Sequence, residues 1–80
     1  MKKELIVFAA NLHKLRTEKG MSYRDMEKEI GISKTTLWEC ERCLTDPSLT
    51  TVMKIADFFN EDIDWLIGET SVRRIKKIAE

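Results

Sequence analysis

Little in these 80 residues loosens or breaks a chain: there is one proline and there are three glycines. That scarcity excludes a flexible linker or a low-complexity tract, and no unit of 20–50 residues recurs. Histidine occurs once and cysteine twice, which is too little for a zinc site that needs four ligands. No strand–helix–strand pattern supports a redox reading of Cys40-x-x-Cys43. Leu5–Ala10 is apolar behind Lys2 and Lys3, yet it is shorter than the core of a signal peptide and continues as an amphipathic helix. No stretch is long enough to span a membrane. The expectation is a cytoplasmic chain whose cysteines stay reduced. No nucleophile–base pair and no glycine-rich phosphate loop occurs, and the carboxylates are scattered, so neither an enzyme nor a cofactor is expected.

Charge of one sign is also missing, because 14 basic and 14 acidic residues cancel. This argues against a polybasic nucleic-acid binder. The distribution is uneven, however. Residues 1–20 sum to +3, 21–46 to −2, 47–69 to −4 and 70–80 to +3.

What is present is helical periodicity. Leu5, Phe8, Leu12 and Leu15 share one side of a helix over 3–18, stopped by Gly20. Two shorter helices, about 22–30 and 33–41, flank Gly31-Ile32-Ser33, with Ser22 and Ser33 able to cap them. Met26, Ile30, Leu37 and Cys40 then fall inward. So short a connection forces the two helices to cross steeply, the pattern of a helix-turn-helix. Asp46-Pro47-Ser48 opens a fourth helix ending at Phe59, with Leu49, Val52, Met53, Ile55, Ala56 and Phe59 apolar. Asn60 can adopt the left-handed conformation that ends it. Asp62 caps a short fifth helix closed by Gly68. In 70–80, Val72, Ile75 and Ile78 recur beside four cations. That basic amphipathic tail can form a short sixth helix that packs on the domain, pairs with a second subunit, or frays. The expected architecture is all-α: a compact five-helix domain over 1–69 followed by this tail.

Five segments in this order carry a resemblance. They are Leu15-Arg16-Thr17-Glu18-Lys19-Gly20-Met21-Ser22, Ile30-Gly31-Ile32-Ser33, Glu41-Arg42, Asp46-Pro47-Ser48-Leu49 and Asp62-Ile63-Asp64-Trp65-Leu66. From about Asn11 to Glu69 the chain resembles the phage repressor/Cro-type (XRE) helix-turn-helix domain. The resemblance implies a transcriptional regulator, a repressor in many members, that binds double-stranded DNA as a homodimer on a near-palindromic operator. The acidic fourth and fifth helices would then point away from DNA. Arg16 and Glu41 match the family's internal ion pair.

The outward face of the third helix presents Lys34, Thr35, Trp38, Glu39 and Arg42. By the resemblance, Lys34, Thr35 and Glu39 read base edges, which suits their chemistry: Lys donates to guanine, Thr bonds or touches a thymine methyl, and Glu accepts from a cytosine amine. Trp38 either presses on thymine methyls or the sugar edge, or folds back over the second helix. Phosphate contacts are expected from Ser22, Tyr23, Arg24, Arg42 and Thr45, Tyr23 through its hydroxyl. The amino end of the second helix adds free N–H groups.

Three residues depart from the family pattern. Glu27 replaces a small residue between the second and third helices, Cys43 a glycine after the third, and Glu61 an aliphatic residue before the fifth. Phe58, Ile63, Ile67, Val72 and Ile75 are surplus apolar groups suited to a dimer surface. An alternative is a protein-interaction module on the same fold, binding a regulatory partner or serving as an antitoxin, which the neutral charge, Trp38 and Glu39 would suit.

Overall fold

A computed structural model describes residues 2–71. The sequence readings on Val72, Ile75, Ile78 and a sixth helix lie outside the described residues. Among the described residues there are five helices: α1 Lys3–Glu18, α2 Tyr23–Ile30, α3 Lys34–Glu41, α4 Leu49–Phe59 and α5 Ile63–Leu66. Apart from the start of α1, where Lys2 makes no side-chain capping bond, the boundaries have local causes. The Ser22, Ser33 and Ser48 hydroxyls each accept the backbone N–H three residues on, and the Asp62 carboxylate accepts that of Asp64. Gly20, Gly31, Cys43, Asn60 and Gly68 take positive φ at the ends. For Asn60 and the glycines this conformation costs little, whereas Cys43 carries a Cβ into it at φ 61°. The Cys43 thiol donates weakly to the Leu5 carbonyl at 3.6 Å, tying the end of α3 to α1.

Packing follows the apolar stripes. Phe8, Leu12 and Leu15 of α1, Met26 of α2, Leu37 and Cys40 of α3, Val52, Ile55, Ala56 and Phe59 of α4, and Trp65 and Leu66 form one core. Ile32, inside the three-residue turn between α2 and α3, is buried too. It acts as a plug that the helical periodicity does not reveal. Helix α1 lies against both α3 and α5. The Asn11 amide donates to the carbonyls of Trp65 and Leu66 at 3.0 and 3.2 Å, satisfying the end of α5.

The apolar residues outside the core divide into two groups. On α4, Leu49 and Met53 stay 70% and 46% exposed. Leu49 opens the helix and Met53 lies one turn on, so both fall on a stripe beside the buried one. Phe58, Ile63 and Ile67 are each partly buried against the core and partly exposed. Glu61 is buried at 3% exposure, at the position where an aliphatic residue is usual.

Gly68 is the most constrained glycine. Its φ is +87°, and an added Cβ would sit 2.8 Å from Val7 Cγ1 on α1. Val7 is stiff at χ1 and cannot swing aside cheaply. Gly68→Ala is therefore expected to lower unfolding stability by roughly 1–3 kcal/mol, measured by urea titration. Gly31→Ala, with open space around the position, should cost only the conformational part.

Candidate nucleic-acid interface

Two helices with a tight turn can present one of them as a rigid reading element only if the turn and the far end are both held. Here the turn is held by Gly31 at φ 85° and by Glu27. The Glu27 carboxylate reaches across to accept the backbone N–H of Lys34 at 3.3 Å, the first N–H of α3. The departure from a small residue thus supplies a second cap. A carboxylate at that end also suits the helix dipole.

The far end is held by Glu41, whose side chain is only 4% exposed. Arg16 Nε donates to its Oε2 at 2.7 Å and Arg16 Nη2 to its Oε1 at 3.2 Å, a two-pronged bond. Arg16 Nη1 donates to the Met21 carbonyl at 2.9 Å. The Tyr23 hydroxyl donates to Glu41 Oε1 at 2.8 Å, and the Arg16 guanidinium lies 4.2 Å from the centre of the Tyr23 ring. His13 Nδ1 lies 3.0 Å from Glu41 Oε1 and 3.3 Å from Arg16 Nη2. With the proton on Nδ1 it donates to the carboxylate and cannot also accept from Arg16. Burial alone would raise the Glu41 carboxyl, but the bonds from Arg16, His13 and Tyr23 outweigh it and hold it below its ordinary value. The bond to Glu41 raises Arg16 above its usual value, and burial followed by that same carboxylate raises Tyr23. The sequence reading missed His13. Its signal was its position three residues before Arg16, on the same side of α1.

Among the expected phosphate contacts, Tyr23 is placed differently from a free surface hydroxyl: in this structure its phenol turns inward and donates to Glu41. Ser22 is engaged as well. Its Oγ accepts from Asp25 N and its own N–H donates to Asp25 Oδ2, both at 3.0 Å. That leaves the hydroxyl hydrogen as the remaining donor of that residue. Hydrogen bonds from Ser22 to the Asp25 carboxylate, the backbone N–H first, lower that carboxyl. The amino end of α2 therefore already carries one carboxylate of its own.

The exposed face of α3 carries Lys34, Thr35 and Trp38, with Glu39 half-buried beside them. Arg24 on α2 and Arg42 at the end of α3 are exposed, and Thr45 is half-buried. Trp38 is 41% exposed, and the Arg42 guanidinium sits 5.1 Å from the centre of its ring. Tyr23, Lys34, Thr35 and Trp38 line a cleft of about 250 Å³ that opens on this face. The two cysteines are free thiols. Burial, then the carboxylates Glu39 and Glu41, push the Cys40 thiol up to about 11, which suits an inert core residue. No group of three metal-ligating side chains is found among the described residues, nor any helix long and apolar enough to cross a membrane.

Because the folded state holds Glu41 below its ordinary value, the stability this group contributes is fully present above the usual carboxylate range. It is lost as pH falls through the lowered folded value. Glu41→Ala strands Arg16 and should cost roughly 2–4 kcal/mol at neutral pH, and adding Arg16→Met should recover part of that. In thermal melts across pH, the gap between wild type and Glu41→Ala should narrow in acid. A silent Glu41→Ala would show that the pair contributes nothing.

Comparison with known proteins adds to this geometry. The family model described as Helix-turn-helix matches residues 12–66. The chain is similar to the cryptic phage CTXphi transcriptional repressor RstR of Vibrio cholerae, at 26% identity over 72 residues. That alignment covers 90% of this chain and 65% of the relative, so the chain spans slightly less than two thirds of the relative's length. No solved structure gives a match.

Proposed function

The chain belongs to the helix-turn-helix family, and from that premise we propose that it is a sequence-specific DNA-binding transcriptional regulator, acting as a repressor. Helix α3 enters the major groove, with Lys34, Thr35, Trp38 and Glu39 toward base edges and Arg24, Arg42, Thr45 and the Ser22 end of α2 toward phosphates. The observation that carries the reading is the pairing of a rigidly held α3 with an exposed face that mixes cationic, hydroxyl, aromatic and acidic groups. A helix kept only for packing has no need of such a face. The similarity to a phage transcriptional repressor supports repression.

The protein works as a homodimer on a near-palindromic site, because one short helix offers too few base contacts for tight binding alone. A second reading, docking of a protein partner, draws support from Leu44, Leu49 and Met53, which remain exposed. Binding-site selection from random duplexes, followed by titration at several salt concentrations, separates the two. Steep salt dependence belongs to DNA binding.

Glu39 and Arg42 should then behave differently. Ionised Glu39 only accepts hydrogen bonds and repels phosphate, so its place beside the reading face makes sense as a reader of a base amine. Glu39→Gln is expected to shift base preference at one symmetric pair of operator positions by about 1–3 kcal/mol. Arg42→Ala should weaken every sequence alike and reduce the salt slope by about one per subunit. The measurement is a titration of both variants against a library of single-substitution operators. Unchanged base preferences in Glu39→Gln would remove this residue from the reading set.

A further inference from the structure

The cleft between Tyr23 and Trp38 is an apolar feature among the polar groups exposed on α2 and α3. Tyr23 comes from the first turn of α2 and Trp38 from the middle of α3, with Lys34 and Thr35 completing the lining. The lining is almost wholly apolar. Neither aromatic wall is free to collapse into the gap. The Tyr23 ring is held by the Arg16 guanidinium on its face and by its hydroxyl bond to Glu41. Arg42 lies over the ring of Trp38. Trp38 remains 41% exposed beside the gap, so an apolar group entering the cleft would cover ring surface that is now in water.

In the major groove one group answers that description. The other recognition atoms there are hydrogen-bond donors or acceptors and cytosine offers only a small C5–H at the equivalent place, whereas thymine carries a protruding apolar C5-methyl. Resting on the reading of α3 as the DNA-facing helix, we infer that the cleft between Tyr23 and Trp38 is a specificity pocket for the C5-methyl of one thymine per half-site. Tyr23 is then a wall of the pocket rather than a phosphate ligand. The Glu41 cluster acquires a second consequence, since it sets the width of the cleft through the Tyr23 ring. Exposed Lys34 remains able to donate to a purine on the neighbouring pair.

Replacing thymine by deoxyuridine deletes the methyl and nothing else. The test is an anisotropy titration of the wild-type chain on the operator selected from random duplexes, with each thymine replaced in turn. One symmetric pair of positions should lose about three- to fivefold in affinity per methyl, the worth of a buried methyl group. Trp38→Ala should bind thymine and deoxyuridine operators equally at that pair, while circular dichroism reports that it is folded. Specific binding in which no thymine is sensitive would overturn the pocket and leave the DNA-binding reading intact. A methyl effect that persists unchanged in folded Trp38→Ala would also overturn it, because the methyl would be read elsewhere. Absence of any specific duplex binding would overturn both. The deoxyuridine scan uses the unaltered protein, so it decides the matter even where Trp38→Ala does not fold.

Discussion

The Glu41 carboxylate is almost fully removed from water, and α1, α2 and the end of α3 meet on it. A buried carboxylate is tolerable only when its lone pairs are filled. Here they are filled by a two-pronged guanidinium, a phenol and an imidazole nitrogen within bonding distance. Each donor comes from a different residue on α1 or α2, so the requirement for complete hydrogen bonding becomes a requirement on helix placement. Moving α3 lengthwise or rolling it would break several charged bonds at once. The fold therefore holds its outward helix by electrostatic demand at one end, where the apolar core alone would tolerate some slippage.

At the other end of α3 the constraint is backbone conformation. Gly31 turns the chain with a positive φ, Ile32 enters the core, and Ser33 and Glu27 take up N–H groups of the new helix. Glu27 shows how an unusual residue can be absorbed. A small side chain at that position would let the helices approach more closely, whereas the carboxylate reaches over the turn and caps instead. Because α3 has only eight residues, satisfying its orphan N–H groups matters more than it would in a long helix.

The charge layout fits this division of labour. The larger acidic excess sits in 47–69, which supplies α4 and α5; 21–46 also sums to −2, and the exposed surface of α2 and α3 offers Arg24, Lys28, Lys34 and Arg42 beside Asp25 and Glu29. Glu39 and Asp25 temper that surface. On the proposed reading, a face with both signs trades raw attraction for discrimination, since an anion beside phosphate is favourable only where a base amine meets it. The aromatic pair adds an element that charge cannot provide, an apolar recess among polar neighbours.

Much of this was legible in the residue order. The helix limits follow from capping residues and positive-φ residues a few positions apart, and such local chemistry acts on a single turn wherever it occurs. The apolar stripes of α1 and α3 follow from a period of 3.6, which is equally local. The Helix-turn-helix family too was legible, because its segments keep fixed spacing. What the order of residues could not reveal depended on partners distant in sequence. Tyr23 has a hydroxyl suited to a phosphate or to a carboxylate, and only the approach of Glu41, 18 positions on, decides that it turns inward. His13, Asn11 and Glu27 each acquire a role from a group that folding brings near. Leu49 and Phe58 are both apolar on α4, yet one is left in water and the other is pressed against the core. The sequence by itself determined which segments are helical and where each one starts and stops, because those choices are made within one turn of backbone. The tertiary structure alone decided which polar groups face solvent and which are consumed internally, because that depends on distances no spacing along the chain encodes.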